Sequence, residues 1–89
     1  MKIGNFEYKL STSKGKKLMT VYKGKVIHFG STTNEHYKDR TGIWKDKDHL
    51  DPKRRANYLN RSAGIVRKDG TRTKDDPSSA NYHARRVLW

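Results

Sequence analysis

Arg54, Arg55 and Arg61, with Tyr58 among them, are the residues whose type and spacing point most directly to chemistry. A guanidinium gives planar, bidentate contacts to phosphate, and a tyrosine ring can stack against a base or a sugar. The chemistry implied is the holding of a polyanion, with no bond made or broken. Lys53 stands beside the two arginines. Arg67, Lys68 and Arg72 cluster further on, Arg85 and Arg86 lie near the end, and Arg40 stands apart. Lys14, Lys16 and Lys17 form an early lysine group able to make weaker, mobile contacts. The competing reading places Tyr58 in the core and leaves the cations as a solvated face.

Total charge favours the polyanion. Twenty-one Lys and Arg face nine Asp and Glu, a formal net charge of +12 on 89 residues. A compact chain so charged repels itself, and nucleic acid is its default partner, because neutralised phosphates release counterions. Acidic protein surfaces are the alternative partner. The basic residues before Val26 are all lysines, and every arginine lies at or beyond residue 40, so ordered phosphate contacts are expected from the second half. The early lysines can equally serve to keep strand edges from pairing with other chains.

Other chemistries find little purchase. There is no cysteine, so neither a disulfide nor a thiolate zinc site can form. His28, His36, His49 and His83 fall at no familiar metal spacing such as His-x3-His, and each is expected at the surface or in a structural hydrogen bond. No serine stands in an arrangement that marks an activated nucleophile. Neither metal, cofactor nor catalytic residue is expected.

The elements that must position the cations are short. Phe6 to Leu10 alternates apolar and polar as a half-buried strand does. Leu18–Tyr22 and Lys25–Phe29 are β-rich runs joined by Lys23-Gly24, which predicts a hairpin ended by Gly30 and extended by the first strand into a three-stranded meander. Asp51-Pro52 signals a helix start, with a helix from Pro52 to about Ser62, an apolar face of Ala56, Leu59 and Ala63, and a stop at Gly64. Arg67 to Asp76 reads as a charged turn with Asp69-Gly70 at its tip. Asp76-Pro77 repeats the start signal before a helix in Ser78–Trp89, which carries Ala80, Ala84, Val87 and Leu88 at helical spacing. Val87-Leu88-Trp89 is expected to dock onto the sheet. The result is a single small basic domain, residues 1–89, of α+β class: an antiparallel β-meander of three strands followed by two short helices packed on it. Nine aromatic residues in patterned segments argue for a fold over disorder. With no apolar run of membrane-spanning length and no apolar stretch of a signal peptide at the N-terminus, a soluble, intracellular or particle-enclosed protein is expected.

Two resemblances add to this reading. Val26-Ile-His-Phe-Gly-Ser-Thr-Thr followed by Arg40 loosely resembles the second strand of GIY-YIG nucleases. Phe29 stands where that family has tyrosine, and neither a Gly-Ile-Tyr motif nor the metal-binding glutamate is identifiable. More of the chain, about residues 20–89, resembles a family of small, uncharacterised basic proteins of large double-stranded DNA viruses. The motifs that carry this are His28-Phe29-Gly30, Tyr37-Lys38-Asp39-Arg40, the stretch from His49 to Arg61, and Ser79 to Trp89. Thr41–Lys47 and Val66–Thr73 depart from the pattern. The resemblance implies a viral setting and a packed Leu88-Trp89, and identifies no catalytic residue. The expectation is a non-enzymatic, largely sequence-independent nucleic-acid-binding protein, DNA favoured over RNA, with viral structural proteins as further partners and no role for a membrane. A structural protein binding acidic surfaces is the alternative, and a nuclease the third reading.

Overall fold

The computed structural model describes all 89 residues. Lys16–Tyr22 (β4) and Lys25–Ser31 (β5) pair antiparallel in one register from Lys16↔Ser31 to Tyr22↔Lys25. Their two-residue connection, Lys23-Gly24, has positive φ at both positions (49° and 79°), which matches the right-handed twist of the strands it joins. Lys9–Leu10 (β3) adds to β4 through Lys9↔Met19 and Leu10↔Leu18, giving the order β3-β4-β5. Val21 and Val26, a cross-strand pair near the hairpin tip, are exposed beside Lys23 and Lys25.

The first strand is not continuous. Lys2–Ile3 (β1) and Phe6–Glu7 (β2) form a separate two-stranded sheet, in which Tyr8 still bonds to Met1 through Tyr8 N to Met1 O (2.9 Å) and the terminal amine to Tyr8 O (2.6 Å). The segment then changes partner from β1 to β4, with the fully buried Tyr8 at the junction. Gly30 also departs from expectation, because β5 continues through it to Ser31. Its φ of +79° and the approach of Leu88 explain why only glycine fits: an added Cβ would lie 2.8 Å from Leu88 Cδ1.

Pro52–Ala63 forms α1, with the Asp51 carboxylate accepting from the main-chain nitrogens of Lys53 and Arg54. Ala80–Val87 forms α2. Its start differs from the sequence expectation. Ser79 is the cap, accepting from Asn81 N, while Asp76 Oδ1 is occupied by the nitrogen and hydroxyl of Ser78. The Asp-Pro pair therefore makes a turn ahead of the helix. The Arg67–Asp76 turn forms with Asp69-Gly70 at its tip, closed by Arg67 N to Thr71 O, and short 3-10 turns cover Lys45–Lys47 and Thr73–Asp75.

One core unites these pieces: Tyr8, Leu18, Phe29, Ala84, Val87 and Leu88, edged by Ile3, Phe6, Trp44 and Trp89. The expected α+β arrangement is present, with α2 packed on β5. The expected apolar face of α1 is not buried. Ala56 is exposed, Leu59 and Ala63 are half-exposed, and Ser62 is the helix's one buried residue. No helix is long and apolar enough to cross a membrane.

Candidate functional site

Five of the nine carboxylates, Asp39, Asp48, Asp51, Asp69 and Asp76, are engaged with backbone N–H groups. Asp39 Oδ1 accepts from Thr41 N (2.8 Å) and Thr41 Oγ1 (2.6 Å), and its Oδ2 accepts from Trp44 N (2.7 Å). Asp48 accepts from Asp39 N and His36 Nε2, Asp51 caps α1, Asp69 holds Thr71 N, and Asp76 holds Ser78. Backbone hydrogen bonds thus organise the Ser31–Leu50 connection, which lacks apolar periodicity. The cations gain few partners in return. Three of the 21 Lys and Arg side chains are paired with an acidic side chain: Arg54 with Glu35, Arg67 with Asp76 and Lys74 with Asp75. Arg54 also holds the Glu35 carboxyl below its usual range.

Several predicted contact residues serve the fold instead. Lys17 is the clearest correction. It is 1% exposed, and its Nζ donates to Asn34 O (2.5 Å) and His36 Nδ1 (2.7 Å). Nε2 of the same ring donates to Asp48 Oδ1 at 2.6 Å, so a neutral imidazole relays between ammonium and carboxylate. Burial, and then Lys47, lower the Lys17 pKa, while burial and then Lys17 lower that of His36. Arg55 Nε donates to Trp89 O (2.7 Å), and its guanidinium lies 5.1 Å from the Tyr37 ring centroid. Arg85 donates to Leu59 O (2.6 Å) and Ser62 Oγ (2.5 Å), fastening α2 to the end of α1. Arg67 is neutralised by Asp76 and donates to Ser78 Oγ. Arg86 remains exposed while donating to Tyr82 Oη and lying over Tyr82 and Phe6. Tyr58 is stacked on Trp89 (centroids 4.1 Å, planes 9° apart) with Arg61 near its ring, so its flat face is already occupied. Burial raises its pKa.

The Tyr58–Trp89 stack divides two cavities, each of about 260 Å³. The first lies between the end of β5, the Ser31–His36 turn and one face of α2. Phe29, Ala84 and Leu88 give it an apolar floor, and Lys16, Asn34, Glu35 and Asn81 give it polar walls. The second is lined by Arg54, Asn57, Tyr58, Arg61 and Trp89, and Arg54 to Arg61 spans two turns of α1. Lys16, Tyr58, Arg54 and Arg61 thus line two adjoining cavities that share the Tyr58–Trp89 pair and are taken together as the groove, and Lys17 borders the first from its buried position. Lys14, Arg40, Lys53, Lys68 and Arg72 are exposed but line neither cavity.

Trp89 was expected on the sheet. It sits instead on α1 and against His49, 5.2 Å between ring centroids, while Val87 and Leu88 take the core. Sequence reasoning also missed Asn81, whose Nδ2 donates to Ser62 O and Thr73 Oγ1. The spacing Ala80, Ala84, Leu88 had marked its helix face but not its neighbours.

The histidines are structural. His83 Nε2 donates to Pro77 O, which leaves Nδ1 to accept from Tyr8 Oη at 2.8 Å. Burial lifts that tyrosine's pKa to about 12. His49 Nδ1 accepts from Asp51 N, and its buried Nε2 has no partner. No three His, Asp or Glu side chains converge at metal-binding distance. Arg40 lies in the connection between β5 and α1, whereas the nuclease pattern has its arginine on a helix. Comparisons with protein-family models, curated proteins and solved structures gave no match.

Proposed function

We propose that this protein binds nucleic acid through charge, with little sequence preference and no catalytic turnover. The observation that carries the reading is the imbalance just described: five of the nine acids hold backbone and turns, and most of the cations are left unpaired. A polyanion relieves that self-repulsion and gains affinity from counterion release. The contact set that supports the reading is narrower than composition suggests. Lys16, Arg54 and Arg61 line the groove, Lys53 stands beside it on α1, and Lys14, Arg40, Lys68 and Arg72 extend the basic surface. Lys17, Arg55, Arg67, Arg85 and Tyr58 leave the set because the fold uses them, whereas Arg54 stays because its partner Glu35 is half exposed and open to exchange for a phosphate. A preference for DNA and a viral, genome-associated setting follow from the family resemblance and form part of the proposal.

Binding of acidic protein surfaces is the second reading. One observation favours it: exposed cations stand on the strands, both helices and the loops, beyond any single groove. Fluorescence anisotropy with labelled duplex DNA, single-stranded DNA and RNA of equal length, in competition with polyglutamate, tests the choice. Nucleic acid retained against excess polyglutamate supports the proposal. Displacement by equal charge of polyglutamate transfers the function to acidic proteins.

A further inference from the structure

The cavity beside the end of β5 is more than a gap between charged groups. Its floor is apolar, made by Phe29, Ala84 and Leu88, a surface that a phosphate does not seek. Cations stand at its rim and beyond the aromatic stack, Lys16 on one side and Arg54 and Arg61 on the other, and the one carboxylate in its lining, Glu35, is exposed and paired with Arg54 at 3.0 Å. Between them lie amides with free hydrogen-bonding capacity. Both Nδ2 donations of Asn81 are fixed by Ser62 O and Thr73 Oγ1, which orients its Oδ1, an acceptor with no protein partner. The Asn34 side chain makes no hydrogen bond within the protein and is exposed. An apolar recess with a few oriented polar groups is the usual form of a small-ligand site. Flanking cations select a ligand that carries a flat, apolar, hydrogen-bonding group between two negative charges.

We infer that this cavity receives one unpaired base of a single nucleic-acid strand, with neighbouring phosphates on Lys16 and on the Arg54–Arg61 stripe. The inference rests on the nucleic-acid reading above and adds to it a preference for single strands. A base stacked inside a duplex cannot enter a recess without first leaving its stack, which costs energy, whereas a single strand presents its bases freely. The Tyr58–Trp89 pair, which lines both cavities, forms the wall between the base and the arginine-held phosphate.

An experiment with three ligands of one length separates the layers: a single-stranded oligodeoxynucleotide, the same backbone made entirely of abasic residues, and a duplex. The full chain is compared with Ala80→Phe, which fills the cavity from an exposed position at the start of α2 and leaves every cation in place. The expected result is about tenfold tighter binding of the base-bearing strand than of the abasic strand by the parent protein. That advantage is lost in Ala80→Phe, while affinity for the abasic strand and the duplex is unchanged. In a Trp44→Phe background, which leaves Trp89 as the single tryptophan, fluorescence changes most with the base-bearing strand. Equal binding of base-bearing and abasic strands by the parent protein overturns the inference and leaves the charge-based function standing. An undiminished base preference in a folded Ala80→Phe protein, checked by circular dichroism, places the base elsewhere and also overturns it. Absence of binding to all three ligands at low salt removes both readings.

Discussion

Lys16 and Lys17 are neighbours in sequence and opposites in role. Lys16 is exposed at the groove, and Lys17 is sealed against Asn34 and His36. Lys16→Ala is expected to weaken nucleic-acid binding with little change in stability. Lys17→Met should leave affinity nearly intact and cost about 2 kcal/mol of stability, because His36 Nδ1 and Asn34 O lose their donor inside the fold. Denaturant titration beside anisotropy separates the two effects. The histidines give a second prediction at this scale. Burial, the leading cause in each case, lowers the pKa of His36, His49 and His83 below the ordinary value. The unfolded chain therefore binds more protons than the folded one once pH drops below about 6.5. Stability from these groups is full above that pH and is lost progressively as pH falls through their folded values. Urea midpoints at pH 7.5 and pH 5 are expected to differ in that sense, and His36→Gln should reduce the difference. Lys17 shows where sequence reading stops. The only sign of its burial is that it shares strand parity with Met19, which is also buried, and a lysine between Lys16 and Leu18 reads naturally as solvated.

At the scale of elements, α1 is attached by clamps where a broad apolar face was expected. Arg85 binds its last turn, Asn81 Nδ2 donates to Ser62 O, Arg55 reaches Trp89 O, and Tyr58 stacks on Trp89. Trp89→Ala removes the stack and is expected to cost about 2 kcal/mol, since the ring is only partly buried. Hydrogen exchange should then accelerate in Pro52–Ala63 before it does in β4 and β5. Local signals made much of this architecture legible. Lys23-Gly24 fixes the hairpin because both residues adopt positive φ, and Asp51-Pro52 fixes the start of α1 because the carboxylate and the missing N–H both suit a first turn. Asp76-Pro77 carries the same letters without the same outcome, because Ser78 takes the Asp76 oxygen and Ser79 becomes the cap. The break at Tyr8 was hidden for a similar reason. Alternation in Phe6–Leu10 fits one strand, and the division arises from a change of partner, Phe6–Glu7 pairing with β1 and Lys9–Leu10 with β4, which local pattern does not encode.

For the whole molecule, compactness and charge are in tension. The radius of gyration is 12.6 Å, close to the roughly 12 Å of a compact chain of this length, despite the +12 charge. The candidate site was legible as composition and as the Arg54–Arg61 helix stripe. Its groove was not, since the cavity depends on Gly30, Asn81 and Trp89 meeting across distant segments. Seen on the structure, the contact set shrinks from the many cations of the sequence to about four around the groove: Lys16, Lys53, Arg54 and Arg61. Neutralising about four phosphates of a single strand predicts a log–log salt slope of about −3. Anisotropy with a single-stranded oligonucleotide across a salt series, for the parent chain and for Arg54→Ala/Arg61→Ala, reads the charge-driven binding itself. The account predicts a slope near −3 for the parent, reduced in magnitude by about 1.4 in the double variant, with similar losses on unrelated sequences. Binding that ignores salt, or a double variant with the parent's affinity and slope, would contradict it.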